Sequence, residues 1–281
     1  MQDAFAYCTE LVRTADRDRF VSSLFAPAEH RAALHALYAF NIEVARVREV
    51  AREPLPGEIR LQWWSEVLRG ERTEEAAANP VAAALLAVIE RHRLAAPALA
   101  VLLDARRFDL YDEPMARLAD LETYAQKTSS GLFGLAAQIL AGMTGEGADA
   151  FANPAGIAYA VAGLLRVLPL HAARRQLYVP LELLERHGVE PQDLFAGRAS
   201  KNLRAALAEL QDVARRHLLA AHQQIATLPQ TALPAFLPVA LVRPALDHLE
   251  RSDPFTPAEL SPWRRQWLIW RAARNPARIA G

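Results

Sequence analysis

The sequence predicts an all-α fold. Three observations carry that expectation. Apolar residues recur at helical spacing, the good helix formers Ala, Leu, Arg and Glu make up much of the chain, and no segment alternates as a half-buried strand would. Prolines mark where helices begin. Pro27 precedes "AEHRAALHALYAFNIEVARV", while Asn79 before Pro80 and Asn153 before Pro154 each put proline at a first helical position, where its missing N–H costs nothing. Gly188 after "PLELLERH" signals a helix stop. The expected helices, in order, are 3–15, 27–50, 57–69, 80–93, 97–111, 118–141, 154–168, 200–227, 231–250 and 257–273. Connections are short, with no Gly/Ser-rich linker and no internal repeat. A chain of 281 residues lies near the upper limit for one hydrophobic core, so a single domain is expected.

Residues 32–44 and 157–168 are apolar almost all round, which predicts deep burial for both. Arg166 stands out in the second, because a buried guanidinium needs an anionic partner.

Composition excludes several classes. Lys+Arg 32 against Asp+Glu 32 leaves no basic excess to neutralise a row of phosphates, so nucleic acid is not an expected partner. The one cysteine, Cys8, cannot form an internal disulfide and is expected as a small buried residue. The opening "MQDAFAYCTELVRTADRDRF" has no apolar core of a signal peptide. The longest uncharged stretch, "TLPQTALPAFLPVALV", is interrupted by prolines and too short for a bilayer. A cytoplasmic protein follows, at most peripheral to a membrane.

Three segments, "HRAALHALYAFNIEVARV", "ARRFDLYDEP" and "LLRVLPLHAARRQLYVPLELLERHGV", taken together resemble the squalene/phytoene synthase family, in order from about residue 16 to residue 250. The resemblance implies an isoprenoid-synthase-type helical bundle around a central cavity. Family enzymes join two prenyl diphosphates head to head, using aspartate-rich motifs on facing helices. Magnesium offsets the charge of the departing diphosphate and demands hard oxygen ligands. Carboxylates at i and i+4 lie on one helix face, ready to share those ions.

This chain departs from the family at those places. Ala45, Arg46 and Glu49 stand where the resemblance puts three acids, and Gly163, Val167 and His171 stand for an Asn and two Asp. A cation about 4 Å from a metal site opposes binding by roughly 4 kcal/mol at an effective dielectric near 20. The replacements match a branch of the family whose members support assembly of respiratory complex I, the proton-pumping NADH:quinone oxidoreductase. That resemblance implies a non-catalytic protein with complex I subunits or assembly intermediates as partners and no cofactor. Two alternatives stand beside it. One is a magnesium-dependent prenyltransferase with a rearranged site. The other is a metal-free binder of an isoprenoid or lipid diphosphate.

For that last reading the ligand-binding candidates are Tyr38, Asn41, Arg46, Arg166, His171, Arg174, Arg175 and Tyr178, with Arg48 completing an arginine clamp whose forks suit diphosphate oxygens. The plainer reading leaves Arg48, Arg174 and Arg175 solvated and pairs Arg166 with an acid such as Glu43. Asp104, Asp109, Asp112 and Glu113 form the remaining acidic concentration, either a displaced metal site with Glu43 and Glu49 or partners of Arg106 and Arg107. His30 and His35, and His217 and His222, are five apart and fall on different faces, which leaves His171 as the cavity candidate. "KTSSGLFG" matches no phosphate-binding loop and suggests close helix packing. Trp63 and Trp64 suggest one core and one partly exposed ring. At the C-terminus Trp263, Trp267 and Trp270 recur at i, i+4 and i+7 among Arg264, Arg265, Arg271 and Arg274. That stripe either packs inward as a last core helix or meets an anionic membrane or a partner.

Overall fold

The computed structural model describes residues 1–51, 53–111, 113–257 and 259–281, and among them all regular structure is helical. Contacts divide the chain into two compact units, neither continuous in sequence. The first takes Met1–Tyr111, Gly131–Asp149 and Thr227–Leu237; the second takes Asp112–Ser130, Ala150–Ala226 and Pro238–Gly281.

The first unit is organised by the Ala28–Ala45 helix, in which residues 33–42 and Val44 are buried. The helices Gln2–Ala15, Pro80–His92 and Gly131–Ala141 pack against it. Ala33, Ala36 and Ala39 leave room for close approach, and Phe40 meets the fully buried Trp64 edge-on at 4.9 Å. Trp63 is half-buried and donates to Glu75 at 2.8 Å, so the pair divides as its spacing suggested. Asn79 caps Pro80–His92, accepting from the Val81 and Ala82 amides. Cys8 is fully buried, and desolvation pushes its thiol up to about 12, which makes it inert packing.

Two buried polar side chains of this unit, Arg19 and His35, are held by partners. The buried Arg19 reaches Asp16 at 2.5 Å, and Asp16 also accepts from the Arg19 amide as the cap of Arg17–Ser23. His35 has Thr9 Oγ1 3.0 Å from Nδ1, Ser23 Oγ 2.7 Å from Nε2, and the Phe20 ring stacked on it at 5.5 Å. Burial, with Arg31 adding repulsion, lowers its pKa to about 4.

Several helices differ from expectation. The 27–50 segment breaks at Arg46 (φ −93°, ψ 3°) among β-branched valines, giving Ala28–Ala45 and Val47–Val50. Short helices Arg17–Ser23 and Thr73–Ala78 appear where none was expected. The 57–69 segment begins earlier, at Pro54, and 97–111 tightens after Arg106 into a 3₁₀ turn. Pro234 and Pro238 divide 231–250 into short pieces, of which Val242–Arg251 is the longest. The last helix is Pro262–Arg274, started by Ser261 as cap; of the expected 257–273, Ala258 lies outside the described residues.

In the second unit the expectation at Pro154 fails. The helix runs Glu146–Arg166 with Pro154 inside it. Proline there removes one backbone hydrogen bond. The burial of Phe151, Ala152 and Ala155 offsets that loss, and Ser130 Oγ donates to the Asn153 carbonyl at 2.9 Å. Ser130 ends a π turn, Gln126–Ser130, that interrupts the expected 118–141 helix and packs onto this one at Gly156. A Cβ at Gly156 would lie 2.4 Å from Ser130 Cα. So "KTSSGLFG" does pack closely, through Ser130, while Gly134 has open space around it. The stop at Gly188 forms as expected. It adopts φ +62°, its amide bonds to Glu185, and the Val189 amide bonds to Leu184, which satisfies the last carbonyls of Leu181–Arg186. The long Lys201–Gln224 helix packs against Leu181–Arg186 and Val242–Arg251.

Two measurements test this packing. Between pH 6.5 and 4 the unfolded His35 binds a proton that the folded one refuses, so stability falls as pH drops through that window and levels off below about 4. Chemical denaturation should show that slope in the wild type and its reduction in His35→Gln. Gly156→Ala should cost about 2 kcal/mol through overpacking, whereas Gly134→Ala should be neutral or stabilising by up to about 1 kcal/mol.

Candidate functional site

The residues expected to bind ligand are distributed over both units: Tyr38, Asn41 and Arg46 with the first, Arg166, His171, Arg174, Arg175 and Tyr178 with the second.

In the second unit they lie on a helical elbow. The Glu146–Arg166 helix ends at Arg166, Val167 takes φ −98° and ψ 13°, and Leu168–Ala173 begins with Pro169 in its first turn. Pro169 therefore starts a helix there, a position it tolerates well. The elbow closes with Arg174 as cap and Arg175 left-handed at φ +57°. The Arg175 amide bonds to Ala172 and the Gln176 amide to His171, a glycine-type stop built on an arginine. The following strand-like segment is anchored by the Met115 amide on Leu177 and the Leu181 amide on Met115.

That return brings His171 and Tyr178 together at 4.5 Å between ring centres, with Tyr124 a further 6.0 Å from Tyr178. Tyr124 carries no signal in the sequence that would have joined it to this group. The arginines turn elsewhere. Arg166 is half-buried and donates to Glu259 at 3.1 Å, not to Glu43. The Arg175 guanidinium lies 5.0 Å from the Phe195 ring centre. Arg174 is exposed. Gly163 has open space where a Cβ would stand, and Val167 is half-buried.

In the first unit Tyr38 is buried beneath Arg19, whose Cζ is 5.6 Å from the ring centre, and Asn41 is buried nearby in the same helix. Arg46 and Glu49 are exposed and 3.9 Å apart, and Arg48 donates to the Ala51 carbonyl at 3.5 Å. Glu43 is held by Arg60 at 3.3 Å; burial raises its carboxyl pKa in spite of that arginine.

The acidic concentration is paired internally, Asp109 with Arg106 at 3.1 Å and Asp104 with Arg107 at 3.6 Å; Asp112 lies outside the described residues. His30 faces His92 at 5.7 Å, and His217 lies 2.9 Å from Glu122. Among the described residues no three His, Cys, Asp or Glu side chains gather as a metal ion requires.

On Pro262–Arg274 the inward-packing expectation for the tryptophans is overturned. Ile269 and Ala272 take the buried face, and Trp263, Trp267 and Trp270 are 82%, 50% and 44% exposed. The arginines attend them, Arg271 over Trp267 at 4.2 Å and Arg274 over Trp270 at 4.5 Å. No helix among the described residues is long and apolar enough to cross a membrane.

An all-α chain with a fully enclosed apolar helix and a proline elbow is the class this geometry defines. The family model for squalene/phytoene synthases matches residues 12–271, and the chain belongs to that family. It is 33% identical over 247 residues to human NADH dehydrogenase (ubiquinone) complex I, assembly factor 6, covering 88% of this chain and 74% of that protein. It is 29% identical over 273 residues to phytoene synthase of Thermus thermophilus, covering 93% and 91%. A dehydrosqualene synthase crystal structure superposes with a TM-score of 0.82 over 97% of this chain and 96% of that one, at 18% identity, which gives the isoprenoid-synthase fold.

Left-handed backbone at Arg175 costs a side-chain-bearing residue what glycine does not incur. Arg175→Gly should therefore raise unfolding free energy by up to about 1 kcal/mol in urea titrations.

Proposed function

We propose that this chain supports the assembly of respiratory complex I and does not itself condense prenyl diphosphates. The observation that carries the reading is the donor set at the family's metal-binding positions. Ala45, Arg46, Gly163, Val167 and His171 offer no carboxylate, and the one acid, Glu49, stands 3.9 Å from the Arg46 guanidinium. These residues do not fit a magnesium–diphosphate cluster, because apolar side chains and one guanidinium stand where the metals need oxygen ligands. The similarity to an assembly factor of complex I supports the same reading. Its partners are then complex I subunits or assembly intermediates, and its place is the cytoplasm, against the membrane in which that complex is built.

An active prenyltransferase is the second reading, favoured by the match to a phytoene synthase over nearly the whole chain. A metal-free diphosphate clamp has less support, since Arg166 and Arg175 are engaged by Glu259 and Phe195.

Deletion of the gene should lower NADH:quinone reductase activity of isolated membranes several-fold, with subunits accumulating in incomplete complexes. Normal activity and normal assembly would overturn the proposal. Pure protein given magnesium and farnesyl or geranylgeranyl diphosphate should release no pyrophosphate above the protein-free control; release would establish the prenyltransferase instead.

A further inference from the structure

The Pro262–Arg274 helix presents three faces. Ile269 and Ala272 point into the unit, and Trp263, Trp267 and Trp270 form an exposed stripe. The third face, Arg264, Leu268 and Arg271 at i, i+4 and i+7, lines a cavity of about 210 Å³. Arg243 and Asp247 enter the same cavity from Val242–Arg251, and Arg278 from the turn after the helix. Four arginines thus line one space. Asp247 is their carboxylate neighbour there, and it also lies 3.8 Å from Arg215. The balance stays positive even with a carboxylate at Gly281 counted. Arg271 joins two of the faces, lining the cavity while its Cζ lies 4.2 Å from the Trp267 ring centre.

We propose that this face binds an anionic phospholipid surface, with a lipid phosphate held in the Arg243–Arg264–Arg271–Arg278 cavity and the tryptophan stripe seated at the level of the head groups. The inference rests on the reading that the chain works against a membrane, and not on the identity of its partner. The chemistry is complementary at each point. Arginine forks match phosphate oxygens. Like charges gathered in one cavity repel until an anion enters. Tryptophan, apolar in body with one N–H, is suited to the boundary between head groups and acyl chains. A helix carrying both lies in the interface plane rather than crossing it.

The test is co-sedimentation of the full chain with vesicles of phosphatidylcholine alone or mixed with phosphatidylglycerol, following tryptophan emission. The expected result is at least tenfold greater partition into the anionic vesicles, weakened by salt, with a blue shift in emission. The triple variant Arg243→Gln, Arg264→Gln, Arg278→Gln should lose at least tenfold in partition, and Trp263→Ala with Trp267→Ala should lose most of the blue shift. Circular dichroism checks folding; should the triple variant misfold, Arg264→Gln alone serves, expected to lose several-fold. Equal binding to neutral vesicles, no binding, or undiminished binding by the arginine variants would overturn the proposal. Release of the protein by millimolar inorganic phosphate at constant ionic strength would show a free-phosphate site and overturn the lipid assignment. Capture of an acidic protein with no vesicle binding would overturn it equally. Vesicle binding needs no partner, so its failure leaves complex I assembly standing, and normal NADH:quinone activity in the deletion strain leaves vesicle binding standing.

Discussion

A helix without a polar face must be enclosed on every side, and Ala28–Ala45 imposes that requirement on the first unit. Three other helices are needed to cover it, and its alanines set how closely they come. The enclosure also dictates what the neighbours carry. Any polar group brought inside must find a partner or be destabilising. His35 meets two hydroxyls, and Arg19 meets Asp16 while lying over Tyr38 and Phe133. Tyr38 and Asn41, attractive as ligand contacts in the sequence, are held in this packed interior.

The second unit solves a different problem, how to keep helices together when prolines interrupt them. Pro154 is tolerated inside Glu146–Arg166 because Phe151, Ala152 and Ala155 are buried around it, and beside it a π turn approaches where Gly156 has no side chain. Pro169 is absorbed because the chain has already ended one helix at Arg166 and begins another. The elbow that results directs His171 toward Tyr178 and Tyr124 and sends Arg175 toward Phe195. A small aromatic group is thus assembled from three separate segments.

Charge organises both readings of function. Magnesium chemistry needs carboxylates, and the proposal of a non-catalytic protein rests on the few acids among the residues that the sequence resemblance sets at the metal-binding positions. Several arginines are matched by acids, Arg166 by Glu259 and Arg60 by Glu43 among them. Along the cavity beside Pro262–Arg274 cations outnumber acids. That excess of positive charge next to exposed tryptophan is what the proposed anionic surface complements.

Periodicity and capping are local, so the all-α class, the burial of 33–42 within the expected 32–44, the Asn79 start and the Gly188 stop were all legible in the sequence, whereas 157–168 buries only part of its surface and leaves Tyr159, Leu164 and Arg166 half-buried. Tertiary structure decided the rest. Glu259 finds Arg166 across 93 residues, and no local pattern encodes that pairing. Pro154 inside a helix depends on the burial of the residues around it, and the outward turn of three tryptophans depends on Ile269 and Ala272 having taken the inner face. A helix carries its own hydrogen bonds and so announces itself in sequence, whereas the direction each face points is set by whichever distant segment offers the better burial.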